Sequence, residues 1–270
     1  SITNSGGFQP DLVWIKNRSS AYSHNLCDSV RGTSKNLQSD STAAEGSGSN
    51  GSTTAFNSNG FTISGGVETG ASSNNYVGWS WKAGGASTVN TSGTISSNVS
   101  VNQTAGFSIV TYTGNGVNAA TVGHGLGVTP AMIMIKNADA GLENWCVWHQ
   151  SLGASTYFLR LNATDAVYTA VNTRISGQSN TTFTLGVTAN SETNTTNKFV
   201  AYCFAQIAGY SKFGSYTGNG STDGPFVYLG FKPKFVMVKR TDTTGNWSMY
   251  DATRNTYNAG SYPLYPNLSN

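Results

Sequence analysis

The chain has 270 residues, 95 of them Ser, Thr or Asn and 32 Gly, while charged residues supply only 10% and the formal net charge is +3. A disordered chain of such polarity is short of aromatics and rich in net charge, yet aromatics reach 11% here, so a folded body with a sizeable core is expected. No apolar run approaches the roughly 20 residues of a membrane helix, no charged-then-apolar leader opens the chain at Ser1, and Lys and Arg are scattered singly, which speaks against membrane insertion and nucleic-acid binding.

The first predicted element lies within residues 7–17. Gly7-Phe8-Gln9-Pro10-Asp11 leads into Leu12-Val13-Trp14-Ile15 and closes on Lys16, a strand entered through a Pro-fixed turn and covered on both faces. Residues 22–37 hold three Ser, two Asn and a Gly without a helical stripe, which permits one short helical turn at most. Residues 39–59 read as a polar, exposed loop. Tyr76-Val77-Gly78-Trp79-Ser80-Trp81 reads as a closing strand with aromatics on one face, and residues 84–100, almost wholly Gly, Ser, Thr, Asn, Ala and Val, read as a linker.

From there the pattern repeats. The strand ending Tyr112-Thr113-Gly114-Asn115-Gly116 returns as Tyr216-Thr217-Gly218-Asn219-Gly220. The first template recurs without gaps at 127–137, where Pro130 precedes Met132-Ile133-Met134-Ile135 and Lys136. It recurs again at 230–240, where Pro233 precedes Phe235-Val236-Met237-Val238 and Lys239. Trp145-Cys146-Val147-Trp148-His149 aligns with Trp247-Ser248-Met249-Tyr250-Asp251 and more loosely with His24-Asn25-Leu26-Cys27-Asp28. Phe199-Val200-Ala201-Tyr202-Cys203-Phe204 matches the closing strand at 76–81. Residues 178–198 form a second polar loop.

A period of roughly 100 residues and short strands spaced by turn residues predict an all-β chain of tandem antiparallel β-sandwich or jelly-roll-like domains. Residues 1–85 form a first copy without its first strand, 86–103 a linker, 104–208 a complete copy, and 209–270 half a copy. A half copy cannot close its own sheet, so missing residues or another part of an assembly must complete it. The Lys repeated three times reads as a strand end at a sheet edge, snorkelling to solvent and blunting edge pairing.

Chemistry is sparse. Cys27, Cys146 and Cys203 lie far apart without a CxxC pair, which predicts free buried thiols. His24, His124 and His149 show no metal-binding spacing, and His124 between two Gly reads as a turn with an exposed imidazole. The 12 acidic residues include no close strand-borne pair, and the position held by Asp28 and Asp251 carries His149 in the complete copy, so a shared two-carboxylate mechanism is not expected. No catalytic residue, metal ligand or cofactor site is assigned. Trp79, Trp81, Trp145 and Trp247 read as core or domain interface. Trp14 and Trp148 face outward in this reading and are the candidates for stacking on a glycan.

The run from Gly7 to Arg18, followed by His24, Asp28-Ser29-Val30-Arg31-Gly32, Lys35, Leu37, the Asn59-Gly60-Phe61 turn and the close Tyr76-Val77-Gly78-Trp79-Ser80-Trp81-Lys82-Ala83-Gly84-Gly85, resembles a repeated module of tailed-bacteriophage structural proteins of marine and cyanobacterial type. The middle copy departs from it, with His149-Gln150-Ser151-Leu152 in place of Asp28-Ser29-Val30-Arg31. The resemblance implies a place in the virion, in a tail fibre or other surface protein made in the host cytoplasm, and brings no catalytic residues with it. The expected function is therefore non-enzymatic: a segment of a fibre or tail appendage, working beside other virion chains as a homo-oligomer, a trimer by preference, and meeting the host surface. The alternatives are a capsid decoration or head-fibre protein, and a carbohydrate-binding module.

Overall fold

The computed structural model describes residues 1–169, 173–186, 190–254 and 262–270, so parts of the 178–198 loop and of the second and third copies lie outside the described residues. The regular elements are strands, and the protein is all-β. The first copy contributes β1 (Ile2–Thr3), β2 (Leu12–Asn17), β3 (Asn25–Asp28), β4 (Thr53–Asn57), β5 (Gly60–Ile63) and β6 (Tyr76–Trp81). Next come β7 (Thr88–Asn90) and β8 (Ser97–Asn102). The middle copy contributes β9 (Phe107–Thr113), β10 (Thr121–Gly123), β11 (Met132–Asn137), β12 (Cys146–His149), β13 (Leu159–Arg160), β14 (Ile175–Gln178), β15 (Thr182–Leu185) and β16 (Lys198–Phe204). The third holds β17 (Phe235–Lys239) and β18 (Trp247–Asp251).

The template seen in the sequence is also a template of register. Leu12 pairs with Trp81 on one side and Asp28 on the other, Met132 with Phe204 and His149, and Phe235 with Asp251. Gly7, Gly127 and Gly230, three residues ahead of each Pro, take φ values of 61°, 74° and 83°, a region open to Gly because it lacks a Cβ. Each of the first two copies adds a small sheet, ordered β1-β5-β4 and β10-β15-β14, with a register shift at the same place, between Thr53 and Ala55 and between Ile175 and Gly177.

Side chains alternate across a strand, and here the two faces go to different cores. Val13 and Ile15 meet Phe61 under the small sheet of the first copy, and Ile133 and Ile135 meet Phe183 and Leu185 in the second. Leu12, Trp14, Met132 and Met134 point the other way, into one shared cluster that also takes Trp247 and Met249, with Phe235 and Met237 packed against it. This hub joins all three copies.

Several expectations need correction. The 86–103 segment is not a linker: β7 and β8 extend a seven-stranded sheet, order β13-β12-β11-β16-β9-β8-β7, and β8 pairs with β9 over six positions. Ile95 and Val99 are buried in the core of the middle copy, a period-two signal sparse enough to be lost among small polar residues. Residues 22–37 form no helix, in keeping with the absence of a helical stripe there. Lys16 and Lys136 do not snorkel at an edge, because β2 and β11 are flanked by strands on both sides, whereas Lys239 is half-buried on β17, whose one partner strand among the described residues is β18. Lys16 and Lys136 are 1% and 0% exposed. Their ammonium groups donate to backbone carbonyls, Lys16 to Asn17 (2.6 Å) and Lys136 to Glu143 (2.8 Å) and Thr42 (3.1 Å). The polar loops are not simply exposed either. Ser39, Ser52 and Thr53 are buried in one, and in the other Glu192 is buried under hydrogen bonds from Asn144, Arg160 and Arg174.

Candidate functional site

The copies are tied to one another by a ring of equivalent hydrogen bonds. In the middle copy the indole N–H of Trp145 donates to Gln38 O of the first copy at 2.9 Å. In the third, Trp247 Nε1 donates to Arg160 O of the middle copy, also at 2.9 Å. The same template position in the first copy is His24. Trp14 Nε1 donates to His24 Nδ1 at 2.9 Å, which leaves the ring proton on Nε2, and Nε2 lies 3.1 Å from Tyr265 O of the third copy. The acceptors are equivalent as well, each following a Leu bridged to the middle of the second template strand: Leu37 to Leu26, Leu159 to Val147, Leu264 to Met249. Backbone anchors repeat in the same way, from His24 N to Asp40 Oδ1 (3.1 Å), Trp145 N to Asn162 Oδ1 (2.9 Å) and Trp247 N to Asn267 Oδ1 (2.9 Å). First copy to third, third to second and second to first, the ring of contacts closes.

A second ring is built one layer away and is incomplete. Tyr202 on β16 donates its hydroxyl to Asp28 Oδ2 of the first copy at 2.8 Å, and Arg31 Nε binds the same oxygen. Arg31 also reaches Glu45 at 2.9 Å, so this buried carboxylate is neutralised and hydrogen-bonded, as burial demands. Trp79, which holds on β6 the place of Tyr202, donates to Asp251 Oδ2 of the third copy at 3.3 Å, with Arg254 on that carboxylate. The third member is His149. Its Nδ1 accepts the Ser151 N–H at 3.1 Å, and its Nε2 has no partner among the described residues. The half-buried ring sits 6.0 Å from the Phe213 ring.

The third copy also shows several aromatics to solvent. Tyr216, Phe226 and Tyr228 are 55%, 90% and 77% exposed, whereas Tyr112, the counterpart of Tyr216, is buried and stacked on Phe199 at 5.2 Å. The surface with chemistry to offer is therefore the unclosed third copy. The model of a domain family described as a domain of unknown function, DUF7483, matches residues 1–270, the full length of the chain. The chain belongs to the DUF7483 family. No curated protein and no solved structure matches it.

In this DUF7483 chain the sequence-derived candidates fall elsewhere than expected. Trp14 and Trp148 do not face outward: they are 2% and 6% exposed, Trp14 in the hub with Trp79 edge-on at 6.2 Å and Trp148 in the core of the middle copy. Each stands on a strand with a packed layer on both faces, so neither offers a ring to a sugar. His124 is buried rather than exposed, its Nε2 3.2 Å from Ser179 O. Trp79, Trp145 and Trp247 are buried in the hub and Trp81 packs against it. The three Cys are free and buried, and burial pushes the thiols up, Cys203 to about 12. Burial and then the nearby Lys16 charge push His24 down to about 3, so its ring stays neutral in the ring of contacts. Among the described residues no group of three metal-ligating side chains is gathered. The positions of Asp28, His149 and Asp251 were visible in the alignment of the copies, but their partners lie in neighbouring copies, which no spacing within one copy reveals.

Proposed function

We propose that the chain is a non-enzymatic virion structural protein, a segment of a tail fibre or tail-associated appendage built from β-sandwich modules. What carries the reading is the closed ring Trp145–Gln38, Trp247–Arg160 and His24–Tyr265, which spends conspicuous aromatic and imidazole groups on holding copies together. The buried carboxylates point the same way: Asp28 and Glu192 are each tied to Arg side chains, in architecture rather than at a cleft. The phage-module resemblance of residues 7–85 supplies the location, a particle assembled in the host cytoplasm. Identical chains associate further in this reading, three being the expected number. Immunogold labelling with an antibody to residues 1–270, on particles of the phage encoding the chain, tests it. Gold along the tail or fibre supports the proposal, gold over the head shifts it to capsid decoration, and label absent from particles overturns both.

A carbohydrate-binding reading now rests on the exposed Tyr216, Phe226 and Tyr228 rather than on Trp14 or Trp148. A glycan array run with the chain and with Phe226→Ala and Tyr228→Ala variants separates it. Binding that the substitutions abolish supports host-surface contact through the third copy.

A further inference from the structure

The third copy leaves open a place that the other two fill. In the middle copy β16 lies between β11 and β9, and in the first copy β6 takes the same place beside β2 in the same register. Their counterpart β17 pairs with β18 alone, and its other edge meets no strand among the described residues. The first N–H along that edge belongs to Lys234. In the other copies the equivalent groups are spoken for, Asp11 N bonding Trp81 O at 2.8 Å and Ala131 N bonding Phe204 O at 2.6 Å. Lys212 to Gly220, the counterpart of β9, forms no strand, for it has neither a β8 nor a β16 beside it.

The missing strand leaves its chemistry legible. On β6 and β16 the hub-facing residues are Val77, Trp79, Trp81 and Val200, Tyr202, Phe204. Trp79 and Tyr202 supply the donors to Asp251 and Asp28. At the third such point stands His149, with Nδ1 already accepting from Ser151. A neutral imidazole in that state carries its proton on Nε2 and donates. A hydroxyl can accept that proton; an indole N–H, which only donates, cannot.

We propose that the open edge of β17 binds an added antiparallel strand of this module's own closing type, with Val, Tyr and an aromatic residue on alternate positions and the Tyr opposite Met237. Backbone pairing along an exposed edge gives such a strand its affinity, and alternate side chains entering the hub give it specificity. The inference stands apart from where the protein resides.

The test titrates the full chain into fluorescein-labelled Lys-Phe-Val-Ala-Tyr-Ser-Phe, the β16 sequence with Ser for its Cys, and reads fluorescence anisotropy. Saturable binding with one peptide per chain is expected, about tenfold weaker when the peptide Tyr becomes Trp, the factor a single lost hydrogen bond gives. The His149→Ala chain is expected to bind both peptides alike. The Lys234→Pro chain, which removes the edge N–H, is expected to bind more weakly. No saturable binding, or equal binding of a peptide with the same residues in scrambled order, overturns the proposal. A chain that sediments as a dimer and takes up no peptide would overturn the assigned occupant in favour of a second copy.

Discussion

His24 shows how one template position is adapted by its surroundings. Where the other copies carry Trp145 and Trp247, the first carries an imidazole that accepts from Trp14 and donates to Tyr265 O, a relay that works only while the ring is neutral. Its folded pKa of about 3 lies below the unfolded value of 6.5. Between these values the unfolded chain binds more protons, so stability is full above pH 6.5 and is lost as the pH falls through the window. Urea unfolding at pH 6.5 and pH 5 is expected to show a loss larger by up to about 2 kcal/mol in the wild type than in His24→Gln, whose amide can still accept and donate. Equal losses would relieve His24 of that role. The Lys residues teach a related lesson. Their recurrence was plain in the sequence, but the burial of Lys16 and Lys136 was not, because a Lys is buried only where backbone carbonyls converge on its ammonium, and for Lys136 those of Thr42 and Glu143 come from other segments.

At the scale of elements, the template strands β2, β11 and β17 were legible because Gly, Pro and a four-residue apolar run punctuate each one. The closing strands β6 and β16 were legible from their aromatics. β7 and β8 were not, since their residues are those of a flexible linker and their pairing with β9 is decided by proximity to the middle copy. If that segment is a strand with Val99 buried at 3% exposure, Val99→Asp places an unpaired charge in a core and is expected to abolish the cooperative transition seen by circular dichroism. A linker would tolerate the change with no loss. The candidate Trp residues divide on the same ground: position in an alternating strand tells that a face is shared, and the layer above tells whether the ring is buried. Trp14 lies under a neighbouring copy and Trp148 under the small sheet of its own.

Across the whole molecule, tandem copies would unfold one by one if each were closed on itself. Here the hub takes Leu12 and Trp14 from the first copy, Met132 and Met134 from the second, and Trp247 and Met249 from the third. Removing any copy exposes apolar surface of the other two, so calorimetry is expected to give one transition whose van't Hoff and calorimetric enthalpies agree. Two resolved transitions would mean the copies are independent.

The sequence by itself determined the strand class, the repeat and the equivalent positions, since apolar periodicity, Pro and Gly act locally. Only the tertiary structure decided which face of each template strand serves its own core and which the hub. It also decided that the copies close a ring and that the gap falls beside His149. Those depend on contacts between residues more than one hundred positions apart, such as Trp79 with Asp251 and Tyr202 with Asp28, and local pattern carries no record of distant partners.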